Sequence, residues 1–229
     1  MSANSISTLK KVTLFSALDE VLLQEVASIT TEKLYKKNEV IFHQGDPGSV
    51  LFILKSGVVK ISLFDQDNNE AILKMLYEND FFGEMSLLDG HFRSATITAL
   101  ETCKALRIKR EDFIRLIKEY PSMAFNMLIT VSRRLRKADE KIASLTFSDS
   151  YGRVAQVLLD LIEKKREEEP SLAHVLALSF SRQELANMAG VSSETFTRIL
   201  HEFQIRGCLK VEGRNILVLD EAVLKREVI

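Results

Sequence analysis

Charged and hydroxyl side chains in the C-terminal part of the chain have the chemistry needed to recognise base pairs. The segment SRQELANMAGVSSETFTRIL covers residues 181–200. Within it, Arg198 can donate two hydrogen bonds to the O6 and N7 atoms of guanine, and Glu194 can accept one from the N4 amino group of cytosine. Ser193 and Thr197 belong to the same turns of the predicted helix. We therefore expect these four residues to read base edges in DNA.

Four further polar residues stand at or near the predicted helix ends, where side chains often contact DNA phosphates. They are Arg182, Ser192, Thr195 and His201. An ordinary helical hairpin is the structural alternative. A helical hairpin with only a structural role would not explain the polar side chains that lie opposite the apolar face of the second predicted helix. We therefore favour DNA binding.

Two predicted helices joined by a glycine turn carry these residues. Ser181 is followed three residues later by Glu184, which is a capping-box pattern for a helix start. Gly190 supplies the turn, and Ser192 or Ser193 then caps a second helix that ends at Gly207. Its predicted apolar face consists of Phe196, Ile199, Leu200 and Phe203. A two-stranded hairpin follows at Leu209–Val211 and Ile216–Leu219, so the pattern indicates a winged helix-turn-helix.

The first half of the chain has a different character. Between Asn38 and Lys109, six short runs of strand-forming residues alternate with turn residues: VIF, VLFIL, VVKISLF, EAILKML, SATITAL and CKALRIK. Short strands with close turns are typical of a compact antiparallel barrel or sandwich. Helical spacing is present before it, at Ala17–Ile29, and after it, at Arg110–Glu119.

A long helix is predicted from Pro121 to Phe147. Its apolar residues are spaced by three and four over nearly three heptads, at Leu128, Val131, Leu135, Ala138, Ile142 and Leu145. This seam favours a parallel two-fold dimer, although a helix packed on its own domain is the alternative. The segment TFSDSYG, residues 146–152, breaks the seam and is interpreted as a hinge, and another helix is predicted from Arg153 to Lys165.

Composition sets limits on the function. The chain has 229 residues, 46% hydrophobic and 28% charged, which is typical of a globular protein. It has no apolar run of about 20 residues and no signal-peptide pattern, so we expect a cytoplasmic protein. The net charge is −1, and residues 149–229 contain 11 basic and 13 acidic side chains. Any DNA-binding face must therefore concentrate its basic residues, with the acidic stretch 167–169 in a loop directed elsewhere.

Catalytic and metal chemistry have little support in the sequence. The two cysteines, Cys103 and Cys208, are far apart and lack CxxC spacing, so we expect reduced core thiols. We find no nucleophile–base pair, phosphate loop or metal motif, and we do not expect an enzyme or a bound metal.

Three segments in this order resemble the Crp/Fnr family of bacterial regulators. FGEMSLLDGHFRSAT, residues 82–96, is similar to the phosphate-binding cassette of cyclic-nucleotide domains. RRLRKADEKIASLTFSDSYGRVAQVLL is similar to the family's dimer helix, hinge and following helix, and SRQELANMAGVSSETFTRIL to its reading head. The cysteine cluster of the oxygen-sensing branch is absent, and His43 and His91 are isolated histidines, so the redox and haem branches are not favoured.

The resemblance implies an α+β fold in three parts. Residues 1–120 would form a double-stranded β-roll that binds a cyclic nucleotide, 121–148 the dimerisation helix and hinge, and 149–229 the winged helix-turn-helix. It further implies a homodimer on double-stranded DNA, with RNA polymerase as a partner. Ligand binding would favour one hinge arrangement near Phe147–Asp149, setting the reading helices about 34–36 Å apart, one turn of DNA.

The cassette residues take roles that the resemblance implies and physical chemistry supports. Gly83 permits close approach of backbone and ligand, Glu84 can accept from a ribose 2′-hydroxyl, and Arg93 can pair with a cyclic phosphate. Ser94 offers a hydroxyl and a backbone donor. The remaining expected ligand-binding residues are Met85, Ser86, Ala95, Arg134, Ala138 and Asp139. The alternative is a pocket without a ligand, in which an acidic neighbour pairs with Arg93.

The chain departs from cyclic-AMP receptors of the family at two adjacent residues of the dimer helix. They usually carry Thr-Ser on the dimer helix against the adenine, whereas this sequence has Ala138 and Asp139. An ionised Asp139 can only accept hydrogen bonds, so it suits the N1–H and N2–H₂ edge of guanine better than adenine. Cyclic AMP is implied by the resemblance, with cyclic GMP or cyclic di-GMP as alternatives. Asp139 could equally form an interhelical ion pair with Arg134 of the partner subunit.

Two other functions stay open from the sequence. The chain could bind DNA constitutively, with the roll as a scaffold, or it could be a ligand-binding regulator of another protein. Nucleotide-independent DNA affinity would indicate the first function, and the absence of salt-sensitive DNA binding the second.

Overall fold

The chain forms two compact units that divide within one long helix, after Leu135. The first unit covers 1–135 and the second 136–229, and each buries its own set of apolar side chains. A computed structural model of the chain describes residues 3–168, 175–177, 180–213 and 215–228.

Two helices and a short 3₁₀ turn open the first unit. They are α1 at Ala3–Lys11, the 3₁₀ turn at Thr13–Phe15, and α2 at Glu20–Ser28. Helix α2 starts three residues later than the sequence predicted, because the Asp19 side chain accepts a hydrogen bond from the N–H of Leu22 at 2.9 Å and caps it. Helix α1 was not predicted. Its apolar residue Leu9 packs in the same core as Leu51 and Ile53 of the sheet.

Eight strands lie within residues 31–109, all of which are described. They are β1 Thr31–Tyr35, β2 Val40–Phe42, β3 Val50–Ser56, β4 Val59–Phe64, β5 Glu70–Leu76, β6 Phe81–Phe82, β7 Thr96–Ala99 and β8 Cys103–Lys109. They form two antiparallel four-stranded sheets with the orders β1-β8-β3-β6 and β2-β7-β4-β5. This is the predicted β-roll, and the α+β fold class is confirmed.

The six predicted strands are all present, and two more were missed. Strand β1 is exposed at four of its five residues, so it lacks the apolar alternation that marks a strand. Strand β6 has only two residues and is defined by its pairing with Phe52 and Ile53 of β3. Between β3 and β4 the chain turns at Gly57, with φ +93°, where a Cβ atom would lie 2.6 Å from the Sγ of Cys103.

Three helices follow the strands of the roll or interrupt them. A short helix, α3, lies inside the cassette at Glu84–Asp89, between β6 and β7. Helix α4 has the predicted bounds, Arg110–Glu119, and buries Phe113 and Leu116. Helix α5 then runs from Pro121 to Phe147, as predicted, and crosses from the first unit into the second.

The predicted seam of α5 is largely uncovered within this single chain. Leu128 is 64% exposed, and Leu135 and Ile142 are each 62% exposed. Val131 and Leu145 are exposed as well. Large apolar side chains aligned on one helix face and left in water need a partner surface. Within the described part of the chain, Leu145 lies beside Gly190, but the rest of the seam stays mostly exposed.

The second unit combines helices with a small sheet. Its helices after α5 are α6 Ser150–Glu168, α7 Arg182–Ala189, α8 Ser193–Ile205 and α9 Glu221–Glu227. Its strands are β9 Val175–Ala177, β10 Leu209–Glu212 and β11 Asn215–Val218, in the order β10-β11-β9. The sequence predicted only the β10–β11 hairpin and missed α9. It was also wrong about residues 167 and 168, which end α6 and are not in a loop.

Local capping sets the boundaries of the helix-turn-helix. Ser181 and Glu184 form the predicted capping box at the start of α7. Ser192, not Ser193, caps α8 by accepting a hydrogen bond from the N–H of Thr195 at 3.1 Å. Gly190 ends α7 in the left-handed conformation with φ +65°. The four predicted apolar residues of α8 are all buried: Phe196, Ile199, Leu200 and Phe203.

Two cations hold the C-terminal end of α7. The Lys141 ammonium of α5 donates to the carbonyl of Met188, and Arg153 Nε of α6 donates to the carbonyl of Ala189 at 3.1 Å. Cations at a helix C-terminus satisfy free carbonyls and oppose the helix dipole. These contacts fasten the first helix of the pair to α5 and α6. Among the described residues, no helix is both long enough and apolar enough to span a bilayer.

Candidate functional site

Arg93 is the central residue of the cassette and lies in the interior of the roll. Only 5% of its surface is exposed. Its backbone N–H donates to the carbonyl of Asp46 at 2.8 Å, and its own carbonyl accepts from Gly45 N–H at 2.9 Å. The loop before β7 is thus tied to the turn after β2, and Arg93 is directed inward from this junction.

The Arg93 guanidinium donates three hydrogen bonds to uncharged acceptors. Nη1 donates to the Gly83 carbonyl at 2.7 Å and to Ser86 Oγ at 2.8 Å, and Nη2 donates to the Val50 carbonyl at 2.8 Å. Nε is buried and has no hydrogen-bond partner among the residues that the structure describes. A guanidinium carries five N–H donors, so two remain, one on Nε and one on Nη2.

An aromatic cluster lies under the same guanidinium. The Arg93 Cζ atom is 4.2 Å from the ring centre of Phe42 and 5.7 Å from that of Phe52. Phe52 stacks on Phe82 at 5.1 Å, which keeps the cluster rigid. Aromatic ring faces attract cations, so the rings of Phe42 and Phe52 help to orient the Arg93 guanidinium.

Arg93 has no carboxylate partner in the described part of the chain, although Glu84 and Asp46 are near enough to act electrostatically. Burial lowers the pKa of Arg93, and these two carboxylates oppose that shift. The predicted alternative, an acidic neighbour paired directly with Arg93, is not observed. A buried cation with spare donors and no counter-ion is suited to an anion.

Two glycines leave the space that Arg93 occupies. Gly83 has φ +80°, and a Cβ atom there would lie 2.5 Å from Arg93 Nη1. A Cβ atom at Gly48 would lie 2.1 Å from Ser86 Oγ and 2.9 Å from Arg93 Nε. Gly83 was predicted to permit close approach, whereas Gly48 was missed because it is far from the cassette in sequence.

Glu84 and Arg134 form an ion pair beside the cassette. Arg134 Nη1 lies 2.7 Å from Glu84 Oε1, and Glu84 is buried. Arg134 also donates to the carbonyl of Phe81, with its Cζ 4.7 Å from the Phe81 ring centre. Arg134 therefore has a partner within its own chain, which weakens the alternative that it pairs with Asp139 of the partner subunit.

The remaining predicted ligand residues differ in exposure. Ser86 and Ala95 are buried, whereas Met85 and Ser94 are exposed, with Ser94 Oγ 3.5 Å from Met85 Sδ. Ala138 and Asp139 are exposed on α5 and belong to the second unit. The structure thus brings Gly83, Glu84, Ser86, Arg93 and Arg134 together.

The outer face of α8 presents the predicted DNA-contacting side chains. Glu194, Thr197, Arg198 and His201 are exposed, opposite the buried apolar face. Ser192 is exposed, and Ser193 and Thr195 are half-buried at the helix start. Ser192 Oγ also donates to Thr195 Oγ1 at 3.1 Å, and Thr197 Oγ1 donates to the Ser193 carbonyl at 2.8 Å.

Arg182 is less accessible than predicted. It is the first residue of α7 and is half-buried. Burial lowers its pKa, and its buried Nη1 atom has no hydrogen-bond partner in the described part of the chain. Arg198 is exposed, but it contacts two residues that sequence reasoning missed, Tyr151 of α6 and Glu202 of α8. No spacing rule could have found Tyr151, because it meets α8 only through the fold.

Both cysteines are buried and free, as expected of core thiols. Burial raises the pKa of the Cys103 and Cys208 thiols. No group of three or more potential metal ligands is found among the described residues.

Comparison with known proteins yields matches over both units. The chain matches the cyclic nucleotide-binding domain at residues 32–120 and the Crp-like helix-turn-helix domain at residues 152–227. It is 34% identical to the cyclic AMP receptor protein of Thermus thermophilus over 212 residues, which is 93% of this chain and 94% of that protein. It is 31% identical to the cAMP-activated global transcriptional regulator CRP of Escherichia coli, over 80% of this chain and 87% of that protein.

A solved structure gives a similar result. The c-di-GMP responsive global regulator CLP of Xanthomonas campestris aligns with a TM-score of 0.77 and 25% identity, over 88% of this chain and all of that one.

Proposed function

Because the chain belongs to the Crp/Fnr family of transcription regulators, we propose that it binds a palindromic DNA site as a homodimer and that a cyclic nucleotide bound in the β-roll controls this binding. The observation that carries the proposal is Arg93, a buried guanidinium that has two spare donors and no counter-ion among the described residues. A purely structural roll would have no use for such a group, because burying an uncompensated charge is costly.

The residues of the cassette fit a cyclic nucleotide. The spare N–H groups on Nε and Nη2 of Arg93 would bind the cyclic phosphate. Glu84 keeps its Oε2 atom free of hydrogen bonds in the described chain, so it can accept from a ribose 2′-hydroxyl while Arg134 holds Oε1. Ser94, with the backbone of Ala95 and of Gly83, would complete the phosphate contacts. Met85 and Ser86 line the same helix turn.

The base that this pocket prefers depends on α5. Ala138 and Asp139 stand where cyclic-AMP receptors of the family usually have Thr-Ser, and an ionised carboxylate accepts well from guanine. Cyclic AMP is the first candidate, since similar proteins are named for it. Cyclic GMP and cyclic di-GMP are the alternatives, and the CLP structure is described as c-di-GMP responsive.

Calorimetry on the wild type and on Asp139→Ala tests the role of Asp139. If Asp139 accepts from the N1–H and N2–H₂ groups of guanine, the substitution should weaken cyclic GMP or cyclic di-GMP by about tenfold or more and leave cyclic AMP nearly unchanged, since hydrogen bonds to a charged group are lost. Equal binding of all three nucleotides by both proteins would remove the guanine hypothesis.

Homodimer formation is favoured by the exposed seam of α5. Leu128, Leu135 and Ile142 lie on one face and are each more than 60% exposed. A second copy of the same helix would cover them in a parallel pair. The two reading heads would then face adjacent major grooves, about 34–36 Å apart.

In the proposed complex, α8 lies in the major groove. Glu194 and Arg198 would read a G·C pair near the centre of each half-site, with Ser193 and Thr197 beside them. Arg182, Ser192, Thr195 and His201 would contact phosphates. By resemblance the half-site has a TGA-like core. Ser193 stands where cyclic-AMP receptors often have arginine, so we propose outer positions closer to TTGA. RNA polymerase is the proposed partner at the promoter.

Replacing Arg198 with alanine tests this reading role. We expect the discrimination between G·C and A·T at one position of each half-site to fall by about 1–3 kcal/mol, because a bidentate contact to guanine is lost. Fluorescence anisotropy on a set of singly substituted sites measures it. A uniform loss on every sequence would show that Arg198 contacts phosphate instead.

Selection of bound DNA from random sequence, with no nucleotide and with each of the three cyclic nucleotides, tests the whole proposal. The expected result is a two-fold symmetric site that is enriched only when one nucleotide is present. Enrichment that is equal in all conditions would favour constitutive binding, and no enrichment in any condition would refute DNA recognition.

A further inference from the structure

Three polar side chains form a closed group on the outer side of α8. Arg198 and Glu202 lie one turn apart on this helix, and Tyr151 reaches them from the first turn of α6. Arg198 Nη1 donates to Glu202 Oε1 at 2.9 Å and to the Tyr151 hydroxyl oxygen at 3.2 Å. The Tyr151 hydroxyl in turn donates to Glu202 Oε2. Each member of the group thus contacts both of the others.

Tyr151 is itself anchored to the core of the second unit. Its ring makes an edge contact with the buried Phe203, with ring centres 6.1 Å apart. The Arg198 Cζ atom lies 5.9 Å from the centre of the Tyr151 ring. Because Tyr151 comes from a different helix, it limits the rotation of Arg198 in a way that a neighbour on α8 cannot.

The group uses one side of the guanidinium and leaves the other open. Both N–H bonds of Nη1 are directed to Tyr151 and Glu202, so the Nε and Nη2 atoms keep three donors. The Arg198 side chain is 57% exposed, and these donors make no hydrogen bond within the described residues. The Nε–Nη2 edge can donate two parallel hydrogen bonds, which matches the O6 and N7 acceptors of guanine.

We propose that Tyr151 is a positioning residue that, with Glu202, holds Arg198 so that its Nε–Nη2 edge faces a guanine in the DNA site. The inference rests on the proposed function and names a specificity-determining residue outside the helix-turn-helix. Exposed ion pairs between residues four apart on a helix order a side chain only weakly. The phenol is needed because it adds a fixed point on a second helix.

The electrostatics of the group agree with this geometry. Its hydrogen bond to the Glu202 carboxylate raises the pKa of Tyr151, and the same bond lowers the pKa of Glu202. The phenol therefore stays protonated and the carboxylate ionised near neutral pH, which are the forms that the hydrogen bonds require.

The test compares Tyr151→Phe and Glu202→Gln with the wild type in full-length protein. The DNA probes are the selected palindrome, the same palindrome with the Arg198-sensitive pair changed to A·T in both half-sites, and an unrelated duplex. We expect Tyr151→Phe to lower the ratio of affinities for the first two probes about three- to tenfold, the range of one net hydrogen bond. Affinity for the unrelated duplex should not change.

Two controls separate positioning from a structural effect. Tyr120→Phe removes a phenol that hydrogen-bonds Glu25 in the first unit at 3.1 Å, and it should leave the ratio unchanged. On the Arg198→Ala background, Tyr151→Phe should have no further effect on the ratio. A merely structural role of Tyr151 would persist on that background.

The outcomes distinguish this inference from the proposed function. If the wild type selects no sequence, the proposed function fails and the inference fails with it. If the wild type is selective but Tyr151→Phe keeps its ratio, or loses affinity equally on all three probes, only the inference is overturned. A higher ratio in Glu202→Gln would also overturn it, because the carboxylate would then compete with DNA for Arg198.

Discussion

Arginine occurs at two proposed contact points, and its surroundings give it a different role at each. Arg93 is buried over phenylalanine rings, and two of its donors have no partner among the described residues, which is why we propose that it binds an anion. Arg198 is exposed, with one nitrogen held and one edge free. In both cases neighbouring groups accept hydrogen bonds from some N–H donors of the guanidinium and leave the others available. The residue type allows fork-shaped hydrogen bonding, and the neighbours decide which ligand edge it fits.

Arg93→Lys tests whether the fork, and not only the charge, binds the ligand. Lysine keeps the positive charge, but its compact ammonium cannot satisfy Gly83, Ser86 and Val50 and also bind phosphate. We expect the affinity for cyclic AMP, measured by calorimetry, to fall at least about tenfold. Arg115→Lys, at an exposed arginine paired with Glu25, is the matched control and should bind as the wild type does. An unchanged affinity in Arg93→Lys would contradict the assigned role.

Helix α5 is continuous, but a single copy leaves its apolar seam exposed to solvent. Its 27 residues include a heptad seam whose large side chains are mostly exposed. Burial of a leucine or isoleucine side chain contributes about 1.5–3 kcal/mol. Several such side chains from each of two helices would therefore stabilise a dimer strongly. The last turns of α5 also carry Lys141, which caps α7, so one helix bears both the seam and an anchor of the reading head.

Leu135→Glu tests the seam. Two buried leucines are lost per dimer and two like charges are brought together, so we expect the dimer dissociation constant to rise about 100-fold or more. Sedimentation equilibrium measures it. Ala143→Glu introduces the same charge at an exposed position of α5 outside the seam and should leave the dimer intact. Equal behaviour of the two variants would contradict a seam-mediated dimer.

For the whole molecule, net charge is a poor guide to DNA binding. The chain has a net charge of −1, yet it belongs to a family of DNA-binding regulators. Acidic side chains of the second unit are used locally: Glu184 in a helix cap, Glu202 beside Arg198, and Glu221 and Glu227 in ion pairs with Arg166 and Arg206. The proposed DNA binding would then depend on a few placed cations and on two-fold pairing of the heads, not on a uniformly basic surface.

The proposed control of DNA binding by a cyclic nucleotide can be tested by measuring how DNA and cyclic AMP affect each other's binding. If cyclic AMP raises the affinity for the selected palindrome by some factor, the palindrome must raise the affinity for cyclic AMP by the same factor. We expect a factor of about 5–150, the usual range for allosteric coupling. Anisotropy with and without nucleotide gives one value, and calorimetry with and without DNA gives the other. Binding of cyclic AMP with no change in DNA affinity would favour the constitutive alternative.

The sequence by itself determined features that depend on local spacing. Patterns with a spacing of two, three or four residues predicted several elements. These are the capping box at Ser181, the apolar face of α8, helices α4 and α5 and the six main strands. The seam of α5 is of the same kind. Such patterns can be recognised in the sequence because each one reflects the single face that a helix or strand packs against the core.

Only the tertiary structure decided which side chains meet across large sequence separations. Gly48 and Val50 lie more than 40 residues from Arg93, and Tyr151 lies 47 residues from Arg198. Strands β1 and β6 were likewise missed, because they are defined by pairing and not by their own periodicity; helix α9 was also missed, although Asp220 caps it locally. Such contacts depend on how sheets and helices pack, and no local pattern encodes that. The exposed polar face of α8 could therefore be predicted from sequence, whereas the contacts of Arg198 with Tyr151 could not.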